Sequence, residues 1–292
     1  MTVKHFVGID VSKLDFYACF QEQDPPKKFT NTLSGVRGFL SALRAKDYGP
    51  QITQIGLEST GPYHYLLSFQ CREKGYAIHV INPLITHAYN KTTVRRTKTD
   101  KKDAALIRYV LTQGAGYAFV ETKDTLILKN LVRQRAYLSD MKRKVNRKHT
   151  DIRYKEAIIH APITTVNQEI SALLRDKMKE IDRLLRPHNP AIQSLLQTIP
   201  GLGPTTAVAL IAEIGDMHRF KTPKHFTAFI GLDPRTHPSG PSIHGKGYIT
   251  KRGNKMLRTL FYNCASVAIQ HANIFQHFYQ KKVSEGKPKM VA

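Results

Sequence analysis

Four carboxylates carry the chemistry that this sequence can do. Asp100 and Asp103 stand three residues apart inside RRTKTDKKDAALIRYVL, residues 95–111, surrounded by Lys and Arg. The apolar positions Ala104, Ala105, Leu106, Ile107, Val110 and Leu111 predict a helix there, with Thr99 or Asp100 as its N-cap. Residues three apart on a helix share a face, so both carboxylates can point at one ion. Asp10 follows the apolar run HFVGI, and Glu58 follows ITQIGL, so each acid sits at the end of an expected buried strand. Each alone has a plainer use as a turn, a cap or a helix start. Together, in a strongly basic chain, they fit a centre in which two Mg²⁺ ions about 3.5–4 Å apart clamp a phosphodiester. Carboxylates suit that task because they are hard, anionic ligands that leave coordination sites open to phosphate.

The elements that must hold these acids follow from the pattern. Strands are expected at 5–9, 14–21, 52–57 and 76–81, with Asp24-Pro25-Pro26 as a turn. Helices are expected after Ser34, with Val36, Phe39, Leu40 and Leu43 apolar, and over 63–74. Alternating strands and helices predict a mixed α/β sheet for a domain over residues 1–120.

The next part reads as helical. In 125–160, Leu131, Leu138, Val145 and Ile152 recur at intervals of seven, with Ile127 and Met141 partly filling the second seam. Arg133, Arg135, Lys142, Arg143, Lys144, Arg147 and Lys148 crowd the rest of that helix. Ala161-Pro162 reads as a break, followed by a second helix with Val166, Ile170, Leu173, Leu174, Met178, Ile181 and Leu185 apolar. This predicts a basic helical hairpin over 121–190 that holds protomers together and lays positive charge along nucleic acid. A mostly α C-terminal domain follows over 191–292. Its LLQTIPGLGPTTAVALIAEIG resembles a helix-hairpin-helix, in which Gly201 and Gly203 let backbone N–H groups face a DNA phosphate. Asp233 to Gly247, DPRTHPSGPSIHGKG, is almost all turn chemistry, and Ser239 within it reads on its own as a loop residue. Lys251, Arg252, Lys255 and Arg258 then open a basic helix suited to phosphate contact.

Charge points the same way. Lys and Arg number 45 against 22 Asp and Glu, a formal net charge of +23, which implies a polyanionic partner, most simply DNA or RNA. No apolar run approaches the roughly 18 residues of a membrane-spanning helix and the N-terminus has no signal-peptide pattern, so a cytoplasmic, nucleoid-associated protein with no membrane partner is expected. Cys19, Cys71 and Cys264 are too far apart to suggest a disulfide framework or a zinc knuckle. GIDVSK also invites comparison with the phosphate loop of an actin-like ATPase, but Val11-Ser12-Lys13 offers none of the glycine that loop needs.

GID at 8–10, GLESTG at 56–61, INP at 81–83 and KTDKKDA at 98–104 resemble the DEDD motif set of the IS-one-ten family of insertion-sequence transposases, which includes Piv-type DNA invertases and bridge-RNA-guided recombinases. The resemblance runs over nearly the whole chain. It implies a RuvC-like, ribonuclease-H-type N-terminal domain binding Mg²⁺, or Mn²⁺ in its place, through Asp10, Glu58, Asp100 and Asp103. It also implies a serine nucleophile at Ser239, the residue before Gly240, with Ser242 as rival and His237 and His244 as candidates for proton transfer. Donor and target DNA, a structured guide RNA and a homodimer or tetramer would be the partners. The tail EGKPKMVA ends at Ala292, where similar proteins continue into a further helix and a basic end, so the chain reads as a short or truncated member. The alternatives are a Mg²⁺-dependent junction nuclease using water, and a non-catalytic nucleic-acid-binding protein.

Overall fold

The computed structural model describes residues 5–59, 61–91, 100–152, 157–185, 190–234, 248–289 and 291; the side chains of 91, 100, 101, 149–152 and 157–162 are outside that description. Two compact units result, Met1–Val120 and Glu121–Ala292.

The first unit is a mixed sheet in the order β3-β2-β1-β4-β5-β6. Strands β1 (His5–Val11), β2 (Asp15–Cys19) and β3 (Lys27–Thr30) form an antiparallel meander, and β1, β4 (Thr53–Glu58) and β5 (Ala77–Ile81) run parallel. The short β6 (Tyr117–Ala118) closes the far edge. Period-two alternation sends Val7, Ile9 and Val11 to one face and Gly8 and Asp10 to the other. The first face is packed with aromatics: Phe16 stacks near Phe29 and meets Phe39 of α1 (Leu33–Ala45) edge-on at 5.7 Å. Helix α1 is capped by Thr32, whose side chain accepts from the Gly35 N–H; the expected cap, Ser34, lies inside the helix. Helices α2 (Tyr65–Glu73) and α3 (Pro83–Lys91) flank β5, and α4 (Asp100–Thr112) covers the second face with Ala104, Ile107, Val110 and Leu111 buried.

The second unit is helical. Helices α5 (Lys123–Ile152) and α6 (Ala157–Leu185) lie antiparallel, because Arg135 pairs with Asp182 while Asn146 accepts from Ser171 further along. Helix α6 starts before Pro162 and runs through it, so the expected break is absent. Leu128 and Val132 of α5 share a core with Ile181 and Leu185 of α6 and with Val208, Ala209 and Ala212 of α8. Helices α7 (Pro190–Gln197), α8 (Pro204–Ile214), α9 (Pro223–Ile230), α10 (Lys255–Ala268) and α11 (Ile274–Ser284) complete the unit. Among the described residues no helix is long and apolar enough to cross a membrane. The three cysteines are buried and unpaired; burial pushes the Cys71 thiol up to about 12 and raises Cys19 and Cys264 as well.

Candidate active site

Glycines decide where the acids go. Gly8 and Gly56 are partners in the parallel register of β1 and β4. A Cβ on Gly8 would stand 2.3 Å from the Ala104 carbonyl oxygen and 2.2 Å from the Arg108 nitrogen; one on Gly56 would stand 2.9 Å from Leu111 Cδ2. Helix α4 therefore rests on bare backbone, at a distance that any side chain would forbid. Arg108 fixes the direction, since its Nε donates to the Phe6 carbonyl at 3.1 Å. Going back along α4 from Arg108 to Ala104 follows β1 from Phe6 to Gly8, so the first turn of α4 approaches the end of β1 that carries Asp10.

Asp10 and Glu58 occupy that end together. The register runs to the pair Ile9–Leu57, and the next step sets Asp10 beside Glu58 on the face that α4 covers. Neighbouring strands leave their backbones about 5 Å apart. Asp10, Glu58 and Asp103 are all half-buried. Asp103 directly precedes Ala104, and Asp100 is the first helical residue. Thr99 and the side chain of Asp100 lie outside the described residues, and among the described residues no group of three acidic, His or Cys side chains converges at metal-binding distance.

One site residue escaped the sequence reading. Thr86, 5% exposed, donates from Oγ1 to Glu58 Oε2 at 2.8 Å. The INP motif builds this contact: Ile81 ends β5 in the core, the Asn82 side chain accepts from the Leu84 N–H, and Pro83 opens α3, which carries Thr86. A Thr at the fourth position of a helix opened by Asn-Pro was the only signal in the sequence.

In the second unit, Gly201 has φ +88°, and a Cβ there would stand 2.3 Å from the Cys264 carbonyl oxygen of α10. Its glycine is required by packing. Gly203 is the exposed, extended N-cap of α8, with nothing within 4 Å of a Cβ position. Ser239, with His237, Gly240, Ser242 and His244, lies outside the described residues. The residues on either side of that stretch are joined: Pro234 and Ile249 form a β-bridge, and Thr250 donates to the Asp233 carbonyl through its N–H and to its carboxylate through Oγ1. Lys251, Arg252 and Lys255 are exposed just beyond. Arg258, expected to meet phosphate, has a structural partner set of its own. It is half-buried, and its Nη1 donates to the carbonyls of Ile230 at 2.7 Å and Gly253 at 3.0 Å, holding the crossing where Gly231 and Gly253 meet. Arg133 and Arg135 pair with Glu213 and Asp182, and exposed cations of α5 include Arg143, Lys144, Arg147 and Lys148.

Glu213 anchors this unit. It is 3% exposed and receives both Arg133 Nε at 2.7 Å and Nη2 at 3.0 Å, while Asn254, the N-cap of α10, donates to it at 2.8 Å. Burial pushes its carboxyl up, but the Arg133 hydrogen bonds and charge, the Asn254 amide and Lys129 outweigh it, and the group ionises below its ordinary range.

A DEDD transposase family model matches residues 7–152, and one described as "Transposase IS116/IS110/IS902 family" matches 193–280. The pilin gene-inverting protein of Moraxella bovis is 30% identical over 98% of this chain and 90% of its own length. A probable family 20 transposase of Pseudomonas aeruginosa is 27% identical over 79% of this chain and 76% of its own length. The transposase for insertion sequence element IS1111A of Coxiella burnetii is 46% identical over 26% of this chain and 21% of its own length. The chain belongs to the IS116/IS110/IS902 family of insertion-sequence transposases, enzymes that cut and rejoin DNA.

Proposed function

We propose that this protein recombines DNA at an insertion-sequence end with a metal-bound DEDD centre and a serine nucleophile. The observation that carries the reading is the setting of Asp10 beside Glu58 on the sheet face where the Gly8–Gly56 pair seats α4 and so delivers Asp103 and Asp100. The strand order, with an antiparallel β1–β3 meander and parallel β1, β4 and β5, supports a ribonuclease-H-type, RuvC-like domain. Hard oxygen donors at two strand ends and a helix start fit Mg²⁺ or Mn²⁺, and Thr86 orients one oxygen of Glu58 for the task. A bound divalent ion would stabilise charge on the phosphate in the transition state. The Ser239 Oγ attacks that phosphorus; the Oγ–P bond forms, the bond to the leaving sugar oxygen breaks, and a phosphoserine and a free sugar hydroxyl result. His237 and His244 are the nearest candidates in sequence to take the serine proton.

Exposed Lys251, Arg252 and Lys255, the open N-cap at Gly203 and the outward cations of α5 suit DNA phosphates and a structured guide RNA. Helix α6 supports assembly into dimers or tetramers. Its Leu174, Ile181 and Leu185 are buried, while Ile163, Val166, Ile170 and Leu173, at heptad spacing in the earlier half of the helix, remain exposed.

The test is a denaturing gel for a protein–DNA adduct with Mg²⁺, donor DNA and co-expressed flanking RNA, comparing wild type with Ser239→Ala and Asp10→Ala. Loss of the adduct in both variants is the expected result. Cut ends without adduct that persist in Ser239→Ala would replace this reading with a water-using nuclease.

A further inference from the structure

The end of the first unit that carries the carboxylates also carries a group of exposed apolar side chains. Because β1, β4 and β5 are parallel, their C-terminal ends coincide; antiparallel β2 begins there and β3 finishes there. Around that rim Leu14 is 76% exposed, Leu33 51%, Leu84 47% and Tyr63 39%. Among the described residues, the connections 21–26, 46–52 and 74–76 at the opposite end expose no Leu, Ile, Val, Phe or Tyr, while Val120, which follows β6 there, is 63% exposed. Scattered apolar side chains on a surface need no explanation, but a leucine fixed at the tip of a turn beside the carboxylates does.

Leu14 stands in the turn between β1 and β2. Turn positions favour Gly, Asn, Asp, Ser and Pro, so a leucine there leaves a large apolar group in water without a local reason. The turn is held firmly. The Ser12 N–H donates to the Asp15 carbonyl at 2.8 Å, and Ser12 Oγ stands 2.9 Å from both the carbonyl and the carboxylate of Asp15. The Asn31 N–H donates to the Leu14 carbonyl at 2.8 Å, and its side-chain amide donates to the carbonyls of Ser12 and Tyr63. Lys28 pairs with Asp15 at 2.6 Å. An apolar tip on a fixed support can enter a stack of bases without first having to be ordered.

We propose that Leu14 is a wedge that enters the DNA stack beside the cleaved phosphate, with Leu33, Tyr63 and Leu84 receiving the bases it displaces. The inference rests on the proposed role of Asp10. The turn starts two residues beyond Asp10, about 7 Å along a strand. Leu14 lies in that turn, so the wedge sits at the same end of the sheet as the carboxylates. Leucine is among the side chains that unstack and kink duplex DNA in this way. The adjacent Lys13, also exposed, is positioned to meet the backbone of the opened strand.

The experiment uses the full chain with duplexes of the element end joined to flanking DNA, either fully paired or carrying two mismatched pairs at the cleavage step. Leu14→Ala lowers adduct formation about tenfold on the paired duplex and returns to within about twofold of wild type on the mismatched one, since the mismatch removes the unstacking cost. Leu14→Met keeps most of the wild-type rate on both. Equal loss on both duplexes, or no loss on the paired one, overturns the proposal, as does a Leu14→Ala protein whose sedimentation shows an altered oligomer. A second readout does not need cleavage. 2-Aminopurine at the step beside the junction brightens on binding wild type or Asp10→Ala, and stays dark with Leu14→Ala. If Asp10→Ala still cuts while this brightening depends on Leu14, the reading of the carboxylates fails and the wedge stands; if wild type leaves the probe dark, the wedge fails.

Discussion

Gly8 and Gly56 face each other across β1 and β4, and α4 lies on both. The two contacts differ in kind: the neighbours of Gly8 are backbone atoms of Ala104 and Arg108, whereas those of Gly56 are the side-chain carbons of Leu111. Gly8→Ala must lift the helix and costs about 2–3 kcal/mol, while Gly56→Ala can displace a leucine methyl and costs about 1 kcal/mol. Denaturant titration of both variants checks the ranking. Cleavage activity falls further in Gly8→Ala than in Gly56→Ala, because the same shift carries Asp103 away from Asp10.

Thr86→Val keeps the shape and removes the hydroxyl that holds Glu58 Oε2. The Mg²⁺ concentration for half-maximal cleavage rises about tenfold, as when the hydrogen bond to a ligating carboxylate is lost. The stability cost stays near 1 kcal/mol. Metal titration of activity and thermal unfolding separate the two effects; an unchanged metal requirement would remove Thr86 from the site.

Much of the first unit was legible because its strands are buried on both faces and end abruptly in acids. Three elements were not. β3 has only one half-buried residue among its four, so no alternation marks it, and β6 is two exposed residues long. α3 begins at Pro83, which reads as a break although a proline suits the first turn of a helix. Helix α6 carries one apolar stripe, and sequence cannot tell how much of its length is covered: of the expected seam, Leu174, Ile181 and Leu185 are buried, but Val166, Ile170 and Leu173 are not. Asp10 and Glu58 could be singled out because each closes a strand. Thr86 could not, because its contact exists only after α3 folds back on β4. The carbonyl contacts of Arg258 were hidden for a related reason, since a cation at a helix start looks alike whatever it meets.

The Glu213 network sets an acid limit on the second unit. A carboxyl ionising below its ordinary value of 4.5 binds protons more readily in the unfolded chain. Its contribution is therefore complete above about 4.5 and declines as pH falls through the lower folded value. Glu213→Gln removes that part of the acid dependence and costs about 2 kcal/mol at neutral pH, a figure kept modest because the Arg133 side chain is 56% exposed. Denaturant unfolding at several pH values reads both effects.

Arg258 and its neighbours separate by assay. Arg258→Ala frees two buried carbonyls and costs about 2 kcal/mol of stability. Lys251→Ala combined with Lys255→Ala leaves stability within about 0.5 kcal/mol. It lowers the slope of log DNA affinity against log salt by about 2. If the lysine pair leaves the slope unchanged, that helix start does not touch DNA.

Three buried thiols also make the native protein chemically silent. Thiolate is the reactive form, and burial holds Cys19, Cys71 and Cys264 away from it at neutral pH. Maleimides and mild oxidants therefore find little to attack until the fold opens, and the wild-type chain needs no reductant to stay uniform. A single cysteine placed on the surface, as in Lys13→Cys, would then be the only fast-reacting thiol, ready to carry a fluorophore or a cross-linker.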